Sequence, residues 1–185
     1  MTRDSELAAL DQLLLERSVR RGDFVLASGR RSSFYVDARL TTMSAQGLVL
    51  IGRVGLQAIR TKGWTPDAVG GLTMGADPVA YAIAAASAQS PPQVQAFSVR
   101  KEAKAHGTGR RIEGNFAAGN RVVIVEDVLT TGGSAQQAVT RVRAEGGQVL
   151  GVLTVVDREE GGLKALEAQG IEVVSLTTST LLGLR

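Results

Sequence analysis

The stretch from Arg121 to Ser134 constrains the fold of this chain more than any other. Its β-branched run, Val122-Val123-Ile124-Val125, reads as a buried strand of the kind found inside parallel sheets. The run ends in two adjacent carboxylates, Glu126 and Asp127, then Val128, Leu129 and the turn Thr130-Thr131-Gly132-Gly133-Ser134. From Ala135 to Glu145 the Ala and Val spacing suits a helix packed on a sheet. Strands and helices alternate in this way from Met43 to Leu176, which predicts an α/β fold: a mainly parallel central sheet flanked by helices, with a small N-terminal hood.

Each part of the central stretch has a physical use. A helix start leaves backbone N–H groups without internal partners, and with the helix dipole they form a site for a phosphate. Gly132 and Gly133 let the backbone approach the anion, while Thr130, Thr131 and Ser134 offer hydroxyl donors. Glu126 and Asp127 repel the same phosphate and fit better against neutral hydroxyls, such as those of a ribose, or a bound cation. The implied ligand is a sugar phosphate. The plainer alternative is that the two acids cap a helix and the glycines form an ordinary turn. The G-x-x-x-x-G-K-[ST] of a nucleotide-hydrolysing loop and the G-x-G-x-x-G of a dinucleotide site are both absent from the stretch.

Along the chain, Leu7, Leu10, Leu13, Leu14 and Val19 recur at helical spacing and predict an amphipathic helix from Asp4 to Arg20. Two short strands around a Gly-Arg turn follow within Phe24 to Asp37, including the aromatic pair Phe34 and Tyr35. A helix over Met43 to Lys62, a core strand over Ala68 to Leu72, the tight turn Thr73-Met74-Gly75-Ala76-Asp77-Pro78 and a helix from Val79 to about Ser87 come next. Ser90-Pro91-Pro92 breaks the chain before a strand over Val94 to Val99. The stretch from Arg100 to Arg111 is then basic and glycine-punctuated, with five cations and the only histidine, His106. Such a run is either a solvated loop or a lid that neutralises a pyrophosphate. A strand over Gln148 to Val156 ends in Asp157-Arg158-Glu159-Glu160, where Arg158 either pairs with a neighbouring acid or binds a substrate carboxylate. A short helix from Gly162 to Gln169 and a last strand from Ile171 to Leu176 precede the terminal helix or tail.

A chain of 185 residues fits a single domain, here divided into a hood over about 1–40, a core over about 41–185 and a flexible loop over about 100–113. No apolar run reaches the length of a membrane span, and the N-terminus reads as a charged helix instead of a signal peptide, so a soluble, cytoplasmic protein is expected. The absence of cysteine excludes disulfides, thiolate metal sites and thiol nucleophiles. A net charge of +3 comes mostly from dispersed arginines, and few aromatics accompany them. Nucleic acid is therefore not the expected partner, and a small anion is.

The stretch from Glu126 to Ser134 closely resembles the phosphoribosyl-diphosphate (PRPP) motif of the type I phosphoribosyltransferases. The Ser-Gly-x-x-Ser segment before Phe34 and Tyr35, the Gly-Ala-Asp-Pro turn, the basic loop and the Asp157-Arg158 pair resemble the orotate-specific branch of that family. A common form of the hood segment carries Lys where this chain has Ala27. The resemblance implies the type I phosphoribosyltransferase fold and the magnesium-dependent reaction of orotate with PRPP to give orotidine 5′-monophosphate and pyrophosphate. It places PRPP on Arg100, Lys101, Lys104, His106 and residues Glu126, Asp127, Val128, Leu129, Thr130, Thr131, Gly132, Gly133 and Ser134. Orotate falls to Phe34, Tyr35, Thr130 and Arg158, and the chemistry to Lys104, His106 and Asp127. Magnesium is expected to be held mainly by PRPP and water, with no protein ligand set. A homodimer with shared sites is implied, with Lys101 a candidate for acting in trans. Two rivals stand beside this reading: a transferase for a purine or uracil, which would leave Arg158 without an obvious partner, and a non-catalytic PRPP-sensing regulator, which would not need the Lys104 and His106 loop.

Overall fold

A computed structural model describes residues 3–25, 31–102 and 111–184, with the side chain of Arg3 left out. Helix α1 (Arg3–Arg17) leads into a two-stranded antiparallel hood, β1 (Val19–Val25) and β2 (Arg31–Val36). The short α2 (Arg39–Thr42) and the long α3 (Ala45–Thr61) follow. The core then runs β3 (Ala68–Leu72), α4 (Ala76–Gln89), β4 (Gln95–Val99), β5 (Ile112–Gly114), β6 (Arg121–Leu129), α5 (Gly133–Ala144), β7 (Gln148–Asp157), α6 (Gly162–Glu167) and β8 (Val173–Thr178). These six strands form one sheet in the order β5-β4-β3-β6-β7-β8, parallel except for β5, which pairs antiparallel with β4. The α/β reading with a mainly parallel sheet and an N-terminal hood is the architecture found.

Sheet faces explain the apolar runs. Every residue of β3 is buried, as a central parallel strand covered on both sides requires. On one face, Val123, Val125, Leu153 and Val155 pack with Leu10 and Leu14 of α1 and with Leu50, Ile51 and Val54 of α3. On the other, Val122, Ile124 and Val152 pack with Ala138, Val139 and Val142 of α5. Helix α3 starts where the Ser44 hydroxyl accepts the Gly47 N–H at 3.0 Å, the N-cap bond that this residue type supplies.

Several boundaries differ from expectation. Helix α1 stops at Arg17, and Val19 and Arg20 belong to β1, where Val19 pairs with Val36. Strand β6 does not end at the acids. It carries Glu126 and Asp127 within it and continues to Leu129, because the ladder to β7 persists through Glu126↔Thr154 and Val128↔Val156. Helix α4 begins at Ala76, ahead of the proline, which a first helical turn tolerates. Strand β5 was not foreseen, and β8 sits two residues later than expected, at Val173–Thr178.

Candidate active site

Strands β3, β6 and β7 lie side by side and parallel, so their C-terminal ends bring the 73–77 turn, the Glu126 to Ser134 stretch and Arg158 to one rim. Connections leave toward β4 on one side of β3 and toward β7 on the far side of β6, which makes the β3/β6 boundary the topological switch point. Open α/β sheets hold ligands in the crevice outside such a point.

Glu126 and Asp127 sit at that crevice. Glu126 is only 6% exposed, and burial, reinforced by the Asp127 charge and a hydrogen bond with Asp127, pushes its carboxyl up to about 9, against the opposing charge of Lys101. Its Oε2 is buried and meets no partner among the described residues. A buried oxygen of this kind calls for a water or a ligand hydroxyl. Held neutral near pH 7, Glu126 can both donate to and accept from hydroxyls, and it adds no negative charge beside an anionic ligand. Asp127 is half-buried and its Oδ1 accepts the Val128 N–H at 3.0 Å. The carboxylate also rests on Gly75, where a Cβ would fall 2.3 Å from Oδ1. Gly75 therefore gives Asp127 the room it occupies, a contact that no local pattern in the sequence announces.

The turn after β6 is open for an anion. Gly132 takes a left-handed conformation (φ +86°) that turns the chain into α5, and no side chain caps that helix. Its first turn carries no acid. The view that Glu126 and Asp127 serve as helix caps is thus excluded by the geometry. A Cβ on Gly133 would meet only the Thr131 hydroxyl, at 4.0 Å, so the backbone there is approachable. Thr131 and Ser134 are exposed and Thr130 is half-buried, its carbonyl accepting the Gly162 N–H at 2.8 Å. Val128, half-buried, packs on one face of the sheet and Leu129, fully buried, on the other, so these two would offer backbone to the site.

Arg158 forms the other pole. It is 5% exposed, its Nη2 donates to Glu160 Oε1 at 2.8 Å, and its guanidinium lies 5.1 Å from the centre of the Phe34 ring. The hood thus meets the core through an aromatic and a planar cation, a flat surface with bidentate donors at its edge. Tyr35 points the other way, as alternation in β2 demands. It is exposed, with its ring 5.8 Å from that of Phe24, and so does not share the Phe34 contact.

Beyond β4, the Arg100 N–H donates to the Arg111 carbonyl at 2.8 Å and Arg100 Nη1 reaches Glu113 Oε1 at 3.5 Å. Lys101 is exposed and its charge acts on Glu126 of the same chain. Lys104, His106 and most of the stretch expected to form a flexible loop lie outside the described residues, as does Ala27. Two cations that the sequence did not single out also belong here. Arg39 pairs with Asp37 through bonds of 2.8 and 3.0 Å, feels the Asp127 charge and lines a cavity of about 360 Å³ with Met74. Arg141 reaches the end of β4 from α5. A cavity of about 840 Å³ lies between α3 and α4 and includes none of the candidate site residues.

The model of the phosphoribosyl transferase domain matches residues 44–174. Over 181 residues the chain is 47% identical to the orotate phosphoribosyltransferase of Mycobacterium avium, covering 98% of both chains. The chain belongs to the orotate phosphoribosyltransferase family. Two solved orotate phosphoribosyltransferase structures from Mycobacterium tuberculosis are similar throughout. One, in complex with Fe(III) dicitrate, gives a TM-score of 0.85 at 46% identity, and the other, in complex with PRPP, 0.81 at 42%. Each comparison covers 97% of this chain and 99% of the other. For this member of the orotate phosphoribosyltransferase family, the acidic pair with its glycine turn and the Phe34–Arg158 contact are the two poles of the candidate site.

Proposed function

We infer that the protein transfers the 5-phosphoribosyl group of PRPP to orotate, giving orotidine 5′-monophosphate and pyrophosphate in pyrimidine biosynthesis. The observation that carries the choice of base is Arg158, a buried guanidinium stacked on Phe34 at the same rim as Glu126 and Asp127. A base bearing a carboxylate suits that pair, and a purine or uracil does not use it.

The ribose hydroxyls fall to Glu126 and Asp127, and the 5′-phosphate to the open turn from Thr130 to Ser134 and the start of α5. As the bond from C1′ to the leaving oxygen breaks and the base nitrogen bonds to C1′, positive charge builds on the ribose beside the Asp127 carboxylate. Negative charge builds on the leaving pyrophosphate, which Arg100 and Lys101 face, with Lys104 and His106 assigned to hydrogen-bond or protonate the leaving oxygen. The base nitrogen attacks directly, so no protein nucleophile is required.

Magnesium fits this donor set. Asp127, and Glu126 once it gives up its proton, offer hard oxygens beside an ion that would be carried mainly by substrate phosphates and water. Bound there, the ion would neutralise pyrophosphate charge. We also propose a cytoplasmic homodimer with shared sites. No helix among the described residues is long and apolar enough to cross a membrane.

Incubation with PRPP, magnesium and a panel of orotate, uracil, adenine and hypoxanthine, following pyrophosphate release, tests the reading. Release with orotate alone is expected. Release with another base in its place, or PRPP binding without release for any base, would overturn it.

A further inference from the structure

We propose that Arg141 is a positioning residue, holding the cationic end of β4 beside the acidic pair. This rests on the assignment of PRPP to the site. Arg141 lies eight residues after Gly133 on α5, about 12 Å along the helix that opens at the phosphate turn. Its Nη1 donates to the Arg100 carbonyl and its Nη2 to the Lys101 carbonyl at 2.6 Å. One planar fork thereby grips two successive carbonyls, a match that a guanidinium makes and a single ammonium does not.

Those carbonyls belong to the two residues where β4 gives way to the basic stretch. The opposite side of the same segment is fixed by the Arg100 N–H on the Arg111 carbonyl and by Arg100 on Glu113. Arg141 completes the frame from the helix side. The consequence falls on Lys101, whose side chain is exposed and whose charge is felt at Glu126. A flexible, exposed lysine holds a useful place only if its backbone is held. Arg141 does this holding, and it links the helix that receives the 5′-phosphate to the segment that faces the pyrophosphate.

The test is PRPP binding by calorimetry in magnesium for wild type, Arg141→Gln, Arg141→Lys, Lys101→Ala and the Arg141→Gln/Lys101→Ala double variant. Arg143→Gln, exposed on the same helix, is the control. Arg141→Gln is expected to weaken PRPP about tenfold and Arg141→Lys by less, while Arg143→Gln matches wild type. In the Lys101→Ala background the Arg141→Gln change should add less than about twofold, because its effect passes through Lys101. A general packing role would instead lower the melting temperature and leave PRPP affinity alone. Wild-type affinity in folded Arg141→Gln, or its full effect persisting without Lys101, overturns the inference. Should Arg141→Gln fail to fold, wild-type affinity in Arg141→Lys does so. Absence of PRPP binding by wild type overturns the functional reading itself, and so is told apart from both.

Discussion

Gly75→Ala separates the site from the fold. Gly75 has helical backbone angles, φ −63° and ψ −39°, so alanine meets no backbone strain there. The new Cβ would lie 2.3 Å from Asp127 Oδ1, 2.6 Å from its Cγ and 2.7 Å from Oδ2, and the carboxylate has to move. It is the tip of a short side chain and half-buried, so it can rotate at a cost of about 0.5–1.5 kcal/mol. Loss of glycine's freedom in the unfolded chain returns about 0.4–1 kcal/mol, leaving net stability nearly unchanged. Function has no such offset. A carboxylate displaced from the ribose hydroxyls forfeits charged hydrogen bonds worth about 1.5–3 kcal/mol, or roughly 10- to 150-fold in PRPP affinity. Thermal melts and calorimetric titration with PRPP measure the two quantities on one sample. Orotate binding should survive, since Arg158 and Phe34 are untouched. PRPP affinity within about twofold of wild type would refute the role given to Asp127, and a collapsed melting temperature would refute its freedom to move.

The remaining predictions concern the other members of the site. Burial raises the Glu126 carboxyl from 4.5 to about 9, so between those values the folded protein keeps a proton that the unfolded chain has released, and stability falls as pH rises, by at most about 1.4 kcal/mol per pH unit. Glu126→Gln has no proton to lose, and its melting temperature should gain on wild type across that window; a constant difference speaks against the shift. Arg158→Ala combined with Glu160→Gln, which avoids leaving a partly buried carboxylate opposite the lost cation, should weaken orotate at least tenfold and leave PRPP binding intact, as titration with each substrate will show. Lys104→Ala should lower kcat by the equivalent of roughly 2.7–4 kcal/mol. If sites are shared, mixing it with Asp127→Ala should restore part of the activity, whereas mixtures as inactive as their components would indicate that each site is complete within one chain.

Much of this was legible because the signals are local. The apolar runs within β3, β6 and β7 read as buried strands of a parallel sheet, and once they are parallel neighbours their ends converge. The glycine turn at Thr130 to Ser134 announces itself by composition. The parts that were not legible depend on contacts between distant segments. β5 is three residues long, with a single buried apolar side chain, and exists because β4 offers an edge to Arg111 through Asn115. β6 carries its acids inside the ladder because pairing with β7 is made by backbone, which does not register side-chain charge. Gly75 reads as an ordinary turn glycine until Asp127 is seen against it. By residue type Arg141 is indistinguishable from Arg143, and only the direction of α5 sends one to β4 and the other to solvent.

The strand order gives these pieces their chemical sequence. Across the rim, β4 leads into Arg100 and Lys101, β3 into the Gly75 turn, β6 carries the acidic pair near its end and leads into the Thr130 to Ser134 turn, and β7 leads into Arg158. Read along that edge, the functional groups suit a pyrophosphate, a ribose and a carboxylated base in turn, the order in which leaving group, C1′ and nucleophile must align for an exchange at the anomeric carbon. β6 sits between β3 and β7 because the chain crosses from β5 back to the far side of β3, so the acidic pair is placed at the centre of the rim by a crossover made elsewhere in the sheet. An acidic pair at the end of an edge strand would meet neighbours on one side only. In the proposed reaction, its central position would let one acidic pair serve both the bond that breaks and the bond that forms.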